Sequence, residues 1–147
     1  MLDSVQSYSH YVYSLQERHP QIQQLRLSLY TTGTTDGILK GEIRFLGDIV
    51  LHVMEIVDFT AGVLETYSYT VRRGQEVLYW YDPQPHPEST ALASTFPHHK
   101  HVPPQVKRNR IPAPAVNFEH PNLDFLVEEI ERELLGGEQQ AHNSPSA

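Results

Sequence analysis

The sequence predicts an α+β fold, an antiparallel five-stranded meander sheet flanked by an N-terminal and a C-terminal helix. Two observations carry this expectation. Between residues 25 and 82 apolar side chains recur at every second position in segments separated by short turns. Segments joined that tightly cannot run parallel, because parallel neighbours need long crossovers. At both ends of the chain the apolar period lengthens to that of a helix, which supplies two amphipathic covers for one face of the sheet.

In chain order, Val5, Tyr8, Val12 and Leu15 form a stripe that only a helix places on one face, and His19-Pro20 closes it. Leu25, Leu27 and Leu29 then alternate with Arg26, Ser28 and Tyr30, as in a half-buried strand, and TTGTTDG supplies the turn. A second strand sets Leu39, Ile43 and Phe45 opposite Lys40, Glu42 and Arg44. Gly47-Asp48 reverses the chain into IVLHVMEIV, apolar on both faces and expected to be central, with His52 read as a core histidine. After Thr60-Ala61-Gly62, Val63, Tyr67, Tyr69 and Val71 alternate with Thr66, Ser68, Thr70 and Arg72. Arg73-Gly74-Gln75 leads into EVLYWYD, where Val77, Tyr79 and Tyr81 alternate with Leu78 and Trp80. The four tyrosines of these last two strands are read as core rather than as base-stacking platforms, and Trp80 with the Thr66, Ser68, Thr70, Arg72 set as surface.

The C-terminal helix, NLDFLVEEIERELL, carries Leu123, Leu126, Ile130 and Leu134 on its stripe, and its acidic residues are read most simply as a solvated face, with shielding of the basic strip or docking of a basic partner as the alternatives. The expected organisation is one α+β domain over residues 1–135, a long Pro/His-rich loop at 83–119 within it, and a flexible tail at 136–147.

A chain of 147 residues, 39% hydrophobic, can bury a core without covalent staples. The absence of cysteine excludes disulfides, thiolate nucleophiles and sulfur-ligated zinc, which leaves histidine, carboxylate and water as metal ligands. No stretch approaches the roughly 20 apolar residues of a membrane span, and MLDSVQSY lacks a basic-then-apolar leader pattern. A cytoplasmic protein without a membrane partner is expected. The net charge of −7 argues against coating duplex nucleic acid with the whole surface. Between Glu88 and Glu119, however, no acidic residue occurs, while Lys100, Lys107, Arg108 and Arg110 stand there beside His98, His99 and His101.

This strip contains FPHHKH, residues 96–101. Imidazole titrates near neutral pH, so a histidine pool can take a proton from a ribose 2′-hydroxyl and return one to the leaving oxygen. His98, His99 and His101 are the candidates, His86 of PQPHP can complete the set, and Lys100 can stabilise the charge of the transition state. Lys107, Arg108, Arg110 and Arg72 are the candidate nucleic-acid contacts. If the segment is extended, alternation sends His99 and His101 to one side and His98 and Lys100 to the other. This reading uses no metal and no cofactor. A second reading makes His99 and His101 an H-x-H metal pair, with His86, Asp82 or Glu88 as further ligands. A third leaves the histidines as solvated surface or as hydrogen-bonding pins for the loop.

The ordered set YSY (67–69), YWYD (79–82), Pro85-His86 and FPHHKH, followed by an acidic C-terminal helix, resembles the TumE-type toxins of prokaryotic toxin–antitoxin pairs. The resemblance runs from about residue 20 to residue 135; Pro83, where the family tends to show asparagine, and the stretch KRNRIPAPAV depart from it. It implies a toxin-like protein with a cognate antitoxin-like partner, and it brings no catalytic assignment with it. The combined expectation is an RNA-directed toxin, a metal-independent ribonuclease using the His/Lys loop. The alternatives are a non-catalytic nucleic-acid- or protein-binding module and a metal-dependent hydrolase. An uncovered sheet edge also makes a homodimer an expectation.

Overall fold

A computed structural model describes residues 1–33 and 35–136; most of the tail expected at 136–147 lies outside the described residues. The alternating segments build a single antiparallel meander in which each strand pairs with its sequence neighbours. Its strands are β1 (Ile22–Thr32), β2 (Asp36–Phe45), β3 (Ile49–Asp58), β4 (Val63–Arg73), β5 (Glu76–Asp82), β6 (His99–His101) and β7 (Arg110–Pro112). Among the described residues the expected count of five is therefore corrected to seven. The two additional strands come from the 83–119 segment and have three residues each, too few for a two-residue period to register in sequence. They form because the free edge of β5 offers unpaired backbone groups that the returning chain can satisfy.

Two helical segments cover one face. Helix α1 (Val5–Tyr13) starts at Ser4, whose side chain accepts from the Ser7 amide at 3.0 Å, and is followed by the single turn α2 (Leu15–Arg18). Helix α3 (Leu123–Ile130) continues into a wider π turn over Glu131–Leu135. The wider turn rotates the stripe, so Leu135 takes the buried position that the 3.6-residue period assigns to Leu134.

The pairing register sorts the side chains into rows that cross the sheet. One row on the covered face runs Leu27, Gly41, Val53, Tyr69, Tyr81 and Lys100. The adjacent row on the opposite face runs Arg26, Glu42, His52, Thr70, Trp80, His101 and Arg110, through every strand. Tyr67, Tyr69, Tyr79 and Tyr81 all lie buried in the core, as their pattern predicts. His52 does not: it sits half-buried on the open face, because β3 is flanked there only by side chains and by no helix. Gly41 has φ +143, and a Cβ at that position would lie 2.0 Å from the Arg26 carbonyl oxygen, so only glycine admits the close β1–β2 approach.

Beneath α1 the fold buries a carboxyl group. Glu55 is wholly inaccessible and accepts hydrogen bonds from Tyr8 and Tyr69, and the latter hydroxyl also accepts from Asn122 Nδ2 at 3.1 Å. Burial pushes its pKa up to about 7, against the opposing pull of the two tyrosine hydroxyls. The two ends of the chain are clasped near the surface. His19 Nε2 lies 2.6 Å from Asp124 and its Nδ1 3.1 Å from Glu131, while the Arg18 Nε lies 3.3 Å from Asp124.

Candidate functional site

β6 divides the FPHHKH motif between the two faces, as alternation predicts. His98 turns to the covered side, where its Nδ1 lies 2.5 Å from the Tyr67 hydroxyl and its ring packs on Tyr67 and Phe118. Burial holds its pKa below the usual imidazole range. Lys100 follows to the same side. Its Nζ lies 3.1 Å from Glu129 and 4.2 Å from the centre of the Tyr79 ring, and Glu129 also accepts from the Tyr81 hydroxyl at 2.8 Å. Lys100 is thereby committed to a buried ion pair, and part of the acidic face of α3 is an internal partner rather than a solvated surface.

His99 and His101 point the opposite way and meet Asp82 at the end of β5, since the register pairs Asp82 with His99 and Trp80 with His101. The three functional groups converge: the two Nε2 atoms are 3.1 Å apart, His99 Nε2 is 3.2 Å from one Asp82 oxygen, and His101 Nε2 is 3.3 Å from the other. Each group is held from behind. His99 Nδ1 lies 3.1 Å from the Pro97 carbonyl oxygen and His101 Nδ1 lies 2.7 Å from that of Val106. A carbonyl oxygen only accepts, so each bond requires the proton on Nδ1 and turns Nε2 toward the centre of the cluster. Asp82 is fixed in the same manner, one oxygen accepting from Trp80 Nε1 and the other from the Gln84 amide, both at 2.9 Å.

The His101 ring stacks on Trp80 with 3.9 Å between centres, and His86 meets the His99 ring edge-on at 5.0 Å. His99 is 1% exposed, whereas Asp82 retains 23% of its side-chain surface and opens the cluster to solvent. Burial lowers the His101 pKa, with the Val106 carbonyl and Asp82 opposing that shift.

Of the five expected catalytic residues, the structure brings together His99, His101 and His86, and it places His98 and Lys100 behind the sheet. Among the expected nucleic-acid contacts, Arg110 pairs with His101 across β6 and β7 and shares its face. Lys107 and Arg108 are exposed on the β6–β7 connection, the segment that supplies the Val106 carbonyl. Arg72 lies on the open face of β4, two residues beyond Thr70. Asp82 enters the sequence reading only as an alternative metal ligand, yet it is the group around which the cluster closes; the signal was its place at the end of β5, the edge on which FPHHKH pairs.

The family model described as Toxin TumE matches residues 12–134. The chain belongs to the TumE toxin family. The matched stretch spans the sheet from β1 to β7 together with α3, so this TumE protein holds its entire histidine cluster within the family region. Membership carries a toxin-like role and implies an antitoxin partner. No curated protein and no solved structure matches the chain. Among the described residues no helix is long and apolar enough to cross a membrane.

Proposed function

We propose that this TumE chain is a toxin that cleaves RNA in the cytoplasm, at the cluster of Asp82, His99, His101 and His86. The observation that carries the reading is the convergence of these ionisable groups on the sheet face that α1 and α3 leave uncovered, beside an acid-free basic strip. A groove lined by Arg26, Lys40, Glu42, Ser68 and Thr70 extends across the same face; Glu42 pairs with Arg26, and Lys40, Ser68 and Thr70 give a single strand cationic and polar contacts. Arg110, Lys107 and Arg108 flank the cluster at the other end.

In the reaction, a ribose 2′-oxygen attacks phosphorus and the bond to the 5′-oxygen breaks, leaving a 2′,3′-cyclic phosphate and a 5′-hydroxyl. The 2′-hydroxyl proton goes to a base on one side, and an acid on the other side protonates the leaving oxygen. Two Nε2 atoms 3.1 Å apart are too close to straddle phosphorus, so the His99–His101 pair serves one side and His86 the other.

The test is direct. Purified chain incubated with end-labelled RNA is expected to yield discrete fragments, with the rate falling by about 100-fold or more in His99→Ala. No fragments, or an undiminished rate in the variant, overturns the reading. The burial of His99, at 1% exposure, favours a second reading in which the face binds RNA without breaking it; salt-sensitive binding with intact RNA is its signature.

A further inference from the structure

We infer that Asp82, His99 and His101 form a binding site for a divalent first-row transition metal, with Trp80 as a residue that positions the carboxylate. The tautomers are the first support. Both imidazoles turn Nδ1 to a backbone carbonyl, so both Nε2 atoms and the Asp82 carboxylate face one another across 3.1, 3.2 and 3.3 Å. Acceptor groups held this close repel unless a proton or a metal cation lies between them, and the arrangement of backing groups decides for the metal.

The separations are the second support. Ligand atoms at about 2.0–2.1 Å from a metal stand about 3.3 Å apart on a tetrahedron and about 3.0 Å apart at neighbouring corners of an octahedron. The Nε2–Nε2 separation and the distance from each Nε2 to its nearer Asp82 oxygen fall on these values, and the three residues offer one ligand atom each within 4.8 Å of one another. The backing of each ligand is the third support. Metal-bound histidines characteristically donate the remote ring N–H to a carbonyl or carboxylate, and ligating carboxylates are themselves hydrogen-bonded. Here every ligand has such a partner: Pro97, Val106, and the pair of Trp80 and Gln84.

Two imidazoles and one carboxylate form a donor set suited to zinc, cobalt, manganese or iron in the divalent state, with coordination positions left for water or a phosphate oxygen. Lys100 cannot reach this side of β6, so a bound metal would supply positive charge at the cluster in place of the proton transfer assigned above to the His99–His101 pair, with His86 left as the proton-transfer group. That consequence rests on the proposed function; metal binding does not.

The experiment is a titration of untagged, metal-stripped protein with Co(II), read by visible absorption, and with Zn(II), read by calorimetry, in the absence of RNA. One equivalent is expected to bind, with the d–d bands of nitrogen and oxygen ligation. Asp82→Asn and His101→Ala are expected to lose it while retaining the far-ultraviolet dichroism of the parent. Trp80→Phe keeps an aromatic ring on His101 but removes the donor to Asp82, and is expected to weaken Zn(II) binding by about 10–100-fold. Absence of stoichiometric binding by the folded parent, or equal binding by Asp82→Asn, overturns the inference. If metal binds and RNA stays whole, the proposed function fails and the metal site stands; if RNA is cut equally in EDTA and no metal binds, the reverse holds.

Discussion

Glu55 makes stability depend on pH in a direction opposite to that of an ordinary surface carboxylate. The group is wholly buried, and its pKa rises from 4.5 to about 7 on folding. Because the folded state holds the proton more tightly, its contribution is fully present below the unfolded value and is lost as pH rises through the folded one. At about 1.36 kcal/mol per pH unit, the loss between pH 4.5 and 8 is about 3 kcal/mol, a large share of a stability of about 5–15 kcal/mol. Glu55→Gln keeps the shape and an oxygen for one of the hydroxyls of Tyr8 and Tyr69, and it cannot ionise. Urea unfolding of both proteins from pH 4.5 to 8 is expected to give near-equal stabilities at the acid end. The variant should lead by about 3 kcal/mol at the alkaline end. Parallel pH profiles, or a variant whose deficit grows with pH, would refute the burial argument.

Two further perturbations test the sheet and its strand-binding face. Gly41→Ala places a Cβ against the Arg26 carbonyl at a backbone angle that L-residues avoid, and should lower stability by about 2–6 kcal/mol in thermal or urea unfolding. An unchanged melting temperature would mean that β1 and β2 are not held at this distance. Arg110→Ala removes a cation from the His101 face. The slope of log K against log salt for a single-stranded RNA should become shallower by about 0.7, measured by fluorescence anisotropy, whereas an unchanged slope would remove Arg110 from the interface.

The long strands were legible because seven or more residues give alternation room to show itself in β1, β2, β4 and β5, while β3 stands out as an apolar run bounded by turns. The division of FPHHKH was legible for the same reason, since extended backbone forces His99 and His101 away from His98 and Lys100. Strands β6 and β7 were not, because their existence depends on the vacant edge of β5 and not on any periodicity of their own. Asp82 stands 17 positions before His99 in the chain (99 − 82), and no sequence period links them; only the pairing of β5 with β6 does. The sequence makes Lys100 a catalytic charge stabiliser and the acidic stripe most simply a solvated face, with shielding of the basic strip as an alternative; the burial of Lys100 against Glu129 follows that alternative, and no period in either segment singles out this pair. His52 was assigned to the core from the apolar run around it, but a strand with apolar residues on both sides still leaves one side bare when both helices pack on the other.

The measurement closest to the central claim sets the two faces of β6 against each other in living cells. The parent chain, expressed without an antitoxin, is expected to arrest growth, and His101→Ala to abolish that arrest while folding normally. Lys100→Met combined with Glu129→Gln removes the buried pair as a unit, a change that such sites commonly tolerate, and is expected to leave the arrest intact. Arrest that survives in His101→Ala and disappears in a folded Lys100→Met, Glu129→Gln protein would place the activity on the covered face and contradict the account.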